Sequence, residues 1–311
     1  MGLFCQLMPG ISIIIITYNR PDDTIALLKD LHGLAHQDLL EEIIVLNNAS
    51  AANYDEVTEF LTMHPGWPCR FVAAPENLGV SRGRNYAASL AKGAILFFLD
   101  DDIAIEDRDL LEKLNKAFGR QPYEDRSLGV VACKVRYFSN RQLQVNAFPH
   151  KQFDRLKDSS WFPTYYYVGC AHAFTRTCWT EAGPYPEDFF YGMEEYDESY
   201  RVLADGHYIA YDASVEVFHK ESPGGRHPRA AQLRMMWVNK SVVAYRYLPG
   251  IYFYTTALLW SFQMLVRSGG QFAEWRQGWK QVFAIPRRVK KQRLDASTLL
   301  YLRKVKARLW F

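Results

Sequence analysis

The first hundred residues alternate between two hydrophobic periodicities. Ile11–Thr17 is an almost continuous β-branched run, the pattern of a strand buried on both faces. After Pro21, Thr24, Leu27, Leu28 and Leu31 recur at helical spacing. Glu42–Leu46 predicts a second strand, Asn47–Ser50 a turn, Asp55–Met63 a helix and Arg70–Ala73 a third strand. Gly79–Lys92 predicts a helix stopped by Gly93, and Ala94–Leu99 a fourth strand closed by Asp100-Asp101-Asp102. Strands alternating with helices specify a parallel sheet with helices on both faces. Such sheets bind ligands beyond the carboxyl ends of their strands. Thr17–Arg20, Asn47–Ser50 and Asp100–Asp102 each follow a strand end, so these polar turns predict one pocket.

The second half is less regular. Leu128–Tyr137 reads as a strand and Trp161–Tyr167 as an aromatic loop or strand. Glu194–Leu203 reads as a helix stopped near Gly206, and Val215–Phe218 as a short strand ending at His219. Ser222–Gly225 marks a break, which divides the chain into residues 1–225 and a largely helical region, 226–311.

Ordinary glycine and proline counts and 49% hydrophobic residues exclude collagen-like and disordered classes. The formal charge of +3 over 311 residues conceals an asymmetry. Residues 267–311 carry twelve basic and two acidic side chains, and the rest of the chain is mildly acidic. Cys5, Cys69, Cys133, Cys170 and Cys178 are scattered without a CxxC pair, which fits a reducing compartment. The start lacks a basic n-region, so a secretory signal is not expected.

Three adjacent carboxylates repel one another, and a divalent cation relieves that repulsion. Hard oxygen ligands suit Mg2+ or Mn2+. Asp100-Asp101-Asp102 therefore reads either as a metal site or as an acidic cap on a helix starting near Ile105. Glu194 and Glu198 share a helix face at i, i+4; they are acids at a helix N-terminus, or they include a general base at the pocket mouth. His219 ends a strand, either as a hydrogen-bonded structural residue or as a ligand. Glu76–Asn85 opens a helix with glycines and two arginines, which suits a diphosphate or caps the helix. Trp161, among several aromatic residues, either packs in the core or offers a flat face to a sugar.

In this order, the motifs resemble glycosyltransferase family 2, inverting nucleotide-sugar transferases of GT-A fold. The likeness spans Ile11 to His219. It rests on the opening strand with Thr17-Tyr18-Asn19-Arg20, on Asn77-Leu78-Gly79 with Gly83-Arg84-Asn85, and on Asp100-Asp101-Asp102. It rests also on Gly183 through Glu195 and on His219. The resemblance implies an α/β fold, a Rossmann-like, mostly parallel sheet flanked by helices in residues 1–225; the residues after it read as a helical, basic amphipathic appendage. It implies that Thr17, Tyr18 and Arg20 line the nucleotide, with Arg84 near the diphosphate. The family's base-reading Asp falls on Asn47, a departure that leaves the base open. Asn77, Asp100 and Asp101 join the nucleotide-sugar site. Asp102, His219 and Asp100 hold Mn2+ or Mg2+. Glu195 is the implied base, with Glu194 its competitor. Gly169 matches a small-residue position where a sugar approaches closely. The most similar branch contains rhamnosyl- and galactofuranosyl-transferase-like members that build bacterial surface glycans.

The tail adds a partner. Tyr247–Val266 is uncharged, but Pro249 and Gly250 shorten its helix below a bilayer span, so it reads as an interfacial or packed helix. Arg287–Arg293 is polybasic. From Leu299 to Phe311, Leu, Val, Trp and Phe alternate with Arg and Lys, as in a segment attracted to anionic lipid. The expectation is a cytoplasmic enzyme, peripheral on the inner membrane face, acting on a glycan or lipid-linked acceptor and binding no nucleic acid. A nucleotidyltransferase and an inactive nucleotide-sugar-binding scaffold are the alternatives.

Overall fold

The computed structural model describes residues 10–222 and 228–309. Cys5, Trp310 and Phe311, Pro223–Gly225 of the predicted break, and hence the boundary after residue 225, lie outside the described residues. The chain begins β1 (Ile11–Thr17), α1 (Pro21–His32), β2 (Leu40–Asn47), α2 (Asp55–Met63), β3 (Cys69–Ala73), α3 (Gly79–Leu90) and β4 (Ile95–Asp100). These strands lie parallel in the order β3-β2-β1-β4. Ile11, Ile13, Ile14 and Ile15 are at most 1% exposed, as a β-branched run covered on both faces requires. Thr17 pairs with Asn47, and Ile16 with Asp100. That register brings the strand ends, and the polar turns after them, to one edge.

The chain continues with β5 (Ile103–Ala104), α4 (Leu110–Phe118), β6 (Ser127–Tyr137), α5 (Phe153–Leu156), β7 (Trp161–Thr164), β8 (Ala171–Thr175), α6 (Arg176–Ala182), α7 (Glu194–Ala204) and β9 (His207–His219). All nine strands form one mixed sheet. β8 joins the halves, antiparallel to both β4 and β6. The strand predicted at Val215–Phe218 is the end of a thirteen-residue strand. Asp212-Ala213-Ser214 interrupts its apolar pattern, and the ladder to β6 shifts register there. The Asp212 carboxylate is buried but satisfied by Arg120 at 2.6 Å and the Ser214 hydroxyl at 2.6 Å. The acidic turn after β4 does not cap a helix near Ile105, because it enters β5 and helix α4 starts only at Leu110. Ile103 pairs with His219, which draws the acidic turn and the histidine together.

Four helices follow: α8 (Arg229–Tyr247), α9 (Gly250–Arg267), α10 (Phe272–Arg288) and α11 (Ala296–Lys304). α9 and α10 both pack on α8, whose Trp237 is fully buried and donates its indole N–H to the Ala257 carbonyl at 2.9 Å. Asp197 of α7, 1% exposed, accepts from Tyr247 at 3.1 Å and pairs with Arg246, fastening this layer to the sheet half.

The tail corrects one expectation. Leu302 and Val305, read as lipid-facing, are buried against the protein, as is Tyr301. Tyr301 donates to the Thr164 carbonyl at 3.1 Å and lies 4.8 Å under the Arg126 guanidinium. Burying each large apolar side chain contributes about 1.5–3 kcal/mol, so α11 belongs to the core of the sheet half. No helix among the described residues is long and apolar enough to cross a membrane.

Candidate active site

Two adjoining cavities open at the edge where the polar turns converge. One, of about 320 Å3, is lined by Tyr18, Arg20, Asn48, Asn77, Asp101 and Phe190, among others. The other, of about 440 Å3, is lined by Tyr166, Gly169, Glu194, Glu195, Tyr196 and Met236, among others. Arg84, Asp100 and His219 line both and form the seam between them.

At that seam, ligand atoms of Asp100, Asp102 and His219 lie within 4.8 Å of one another. Asp102 is 2% exposed, yet its Oδ1 has no hydrogen-bond partner. That oxygen lies 3.3 Å from Nε2 of His219. Arg20 lies 3.2 Å from the other carboxylate oxygen, but the buried Oδ1 left over in this way still lacks a partner of its own. The histidine is already oriented. Gln144 donates its amide N–H to Glu221 at 3.0 Å, so its carbonyl oxygen faces Nδ1 of His219 at 3.1 Å. A carbonyl only accepts, so Nδ1 carries the proton and the Nε2 lone pair is left for a cation. Burial tends to raise the Asp102 pKa, but His219, Arg20 and the Ser222 N–H outweigh it and hold the carboxyl below its ordinary value. Burial likewise opposes charge on His219, and Asp102 outweighs it, raising the imidazole pKa. Two carboxylates and a neutral imidazole fit a divalent cation.

Asp101 faces away from this cluster. It accepts from Arg20 at 2.8 Å, and burial pushes its pKa up to about 7. Thr17 does not line either cavity. It is fully buried beneath the site, bonded to the Tyr54 hydroxyl at 2.7 Å. Asn47 also points elsewhere, accepting from the Ser50 N–H at 2.9 Å. Its neighbour Asn48 lines the cavity instead and accepts from the Leu78 N–H at 2.9 Å. Asn77 takes the Gly79 N–H at 2.9 Å. The Leu78 and Gly79 N–H groups at the start of α3, expected to cradle a diphosphate, are therefore already engaged by side chains.

Arg84 is the hub. Its side chain is 6% exposed and lies 2.9 Å from Asp100 and 3.3 Å from Glu194. It also donates to the Gly169 carbonyl at 2.9 Å. Burial works against its charge, but Asp100, Tyr185, Glu194 and Glu195 outweigh it, so its pKa is raised. The guanidinium thus ties the acidic turn to the start of α7. The two glutamates differ in access: the Glu194 side chain is 4% exposed, and that of Glu195 19%. Burial, then Glu194, push the Glu195 pKa up to about 8 against the pull of Arg84. Glu198 is turned inward and paired with Arg201. A Cβ on Gly169 would lie 2.2 Å from Oε1 of Glu195, so only glycine lets the Glu195 side chain sit where it does.

Trp161 is not brought to the site. It pairs across β7 with Asp212 and packs on Tyr123, Tyr208 and Arg120. The aromatic surface beside Glu195 is instead Tyr166 stacked on Tyr196, with ring centroids 4.7 Å apart. No sequence signal separated Tyr166 from its neighbours Tyr165 and Tyr167, both 1% exposed. Gln144 and Asn48 were also missed; Gln144 carries no motif, and Asn48 stands beside the position the motif singled out.

With this geometry established, the chain can be set beside known proteins. The profile of glycosyl transferase family 2 matches residues 12–179. The protein belongs to glycosyl transferase family 2. An uncharacterized protein of Haemophilus influenzae is 28% identical to this glycosyltransferase over 180 residues, covering 57% of the chain and 92% of the relative. The mannosyltransferase PcManGT from Pyrobaculum calidifontis, solved with GDP-Man and Mn2+, superposes with a TM-score of 0.60 at 18% identity, over 96% of this chain and 80% of that one. GalNAc-T7, solved with UDP, GalNAc and Mn2+, gives 0.65 at 15% identity, over 97% and 57%. Residues 1–349 of Staphylococcus aureus TarS give 0.57 at 14% identity, over 89% and 80%. At these identities the likeness establishes the GT-A fold.

Proposed function

We propose that this family 2 glycosyltransferase moves a sugar from a nucleoside diphosphate to a hydroxyl of a lipid-linked glycan by one inverting displacement. The single observation that carries the reading is the seam. The Asp100–Asp102–His219 cluster separates a cavity fit for a nucleotide from one holding Glu194 and Glu195. In this reading Tyr18, Arg20 and Asn48 bound the nucleoside, and the acceptor enters beside Tyr166 and Tyr196. Asp100, Asp102 and His219 would hold Mn2+ or Mg2+, which supplies positive charge opposite the departing diphosphate. Glu195 removes the proton from the attacking hydroxyl, because it is the more exposed of the two glutamates. Glu194, held by Arg84, keeps the start of α7 in place. Tyr166 and Tyr196 offer an aromatic face on which an acceptor sugar packs.

The donor belongs to the hexosyl and deoxyhexosyl class, and the rhamnosyl- and galactofuranosyl-transferase-like branch is the proposed relative. The enzyme would work in bacterial surface polysaccharide synthesis, peripheral on the cytoplasmic face of the membrane. Supporting the peripheral placement are the absence of a spanning helix among the described residues and the basic C-terminal region. The test is hydrolysis of nucleotide-sugar donors with added Mn2+ or Mg2+. Release of nucleoside diphosphate from at least one donor supports transfer chemistry. Pyrophosphate release from a nucleoside triphosphate and a sugar 1-phosphate would indicate a nucleotidyltransferase, and binding without turnover, also in the presence of glycan acceptors, would indicate a scaffold.

A further inference from the structure

The exposed sides of α9 and α10 are built for a different partner from the cleft. Along α9, Ile251, Tyr254, Leu258, Phe262 and Val266 recur every three or four residues and are 55–70% exposed. This stripe lies opposite the buried Phe253, Ala257 and Met264, and runs about 22 Å along the helix at its usual rise. The exposed face of α10 has another composition. Phe272 and Phe283 are 63% and 72% exposed. Exposed Arg276, Lys280 and Arg287 share their face at spacings of three or four. Glu274 is the only acid in either helix, and it is paired with Arg234 at 2.6 Å. A contiguous apolar stripe next to an uncompensated basic face is rare on a soluble monomer.

We infer that this surface seats the enzyme on an anionic lipid bilayer, with the α9 stripe immersed at the headgroup boundary and the α10 cations against acidic headgroups. The inference rests on the membrane placement proposed above; it takes the interfacial alternative for α9 and pairs that helix with α10 in place of the segment from Leu299. Charge complementarity decides the occupant. A second copy docking through the same face would bring two sets of Arg276, Lys280 and Arg287 into one interface with no unpaired acid on either helix to offset them, whereas acidic lipid pairs with all of them. The connection to the cleft is direct. α8 packs under α9 and α10, and on its other side Met236 lines the glutamate cavity, while Asn239 donates to the Tyr191 and Gly192 carbonyls at 3.1 and 2.9 Å. A bilayer on α9 therefore lies one helix layer from the proposed acceptor entrance.

The test is co-sedimentation of the full chain with phosphatidylglycerol-rich and with pure phosphatidylcholine vesicles. It compares wild type with L258E/F262E and with R276E/K280E. Each variant is checked for an unchanged thermal midpoint and for nucleoside diphosphate binding. The wild type is expected to sediment with the acidic vesicles, and each variant to lose roughly tenfold or more in affinity. Absence of wild-type binding to acidic vesicles, or undiminished binding by L258E/F262E, overturns the inference. So does a concentration-dependent dimer that L258E/F262E dissolves without any vesicle binding. Retained nucleotide binding in all proteins separates failure of the surface from failure of the catalytic reading.

Discussion

The α-carbon of Gly169 is placed so that a Cβ there would come within 2.2 Å of Oε1 of Glu195 and 3.0 Å of the Arg84 guanidinium. The backbone that receives Arg84 through the Gly169 carbonyl is thus also the floor under the proposed base. Gly169→Ala should displace Glu195 or Arg84 while leaving the sheet intact. The expected outcome is a fall in kcat of about 100-fold, the scale set by ångström misplacement of a reacting group, with the circular dichroism spectrum unchanged. Steady-state kinetics on the best donor measures it.

Arg84 joins Asp100, Glu194 and the Gly169 carbonyl at the seam between the two cavities. Arg84→Ala leaves the buried Glu194 carboxylate without its guanidinium partner, a loss of roughly 3–5 kcal/mol. Arg84→Lys keeps the charge but not the planar fork, so it should restore much of the stability and little of the activity. Urea denaturation alongside turnover separates the two effects.

Glu195 gives the enzyme a pH signature. Its pKa, pushed up to about 8 chiefly by burial and then by Glu194, lies above its ordinary value of 4.5. A base must be ionised to accept a proton, so kcat/KM should rise as pH rises through about 8 and level off above it. The stability linkage has the opposite sense. A carboxyl whose pKa is raised by folding contributes fully below 4.5, and that contribution is lost as pH rises through about 8. Glu195→Gln should lower kcat by roughly 100- to 10,000-fold and abolish the rising limb. Glu194→Gln should retain the limb. The opposite pattern would assign the base to Glu194.

Much of this arrangement was legible in the residues. The β-branched run of β1 could hardly form anything else, and the register it imposes carries Thr17, Asn47 and Asp100 to one edge. β8 escaped notice because Ala171-His172-Ala173 lacks the β-branched pattern, although the strand is buried between β4 and β6. Asn48 was missed by one position, since a turn directs neighbouring side chains oppositely and no periodicity fixes which enters the cavity. The amphipathy of α11 was read correctly but given the wrong neighbour. An apolar stripe looks the same whether it meets lipid or protein, and only the contacts of Tyr301 with Arg126 and Thr164 distinguish them.

The most direct test of the central claim is the thermal midpoint of the full chain with UDP, dTDP or GDP, each with Mn2+ and with a chelator. A ligand that binds only the native state raises that midpoint. The account predicts a rise with at least one nucleotide that needs the cation and is lost in Asp102→Asn and in His219→Ala. No rise with any of the nucleotides in the presence of Mn2+, or a rise that both substitutions leave unchanged, would contradict it.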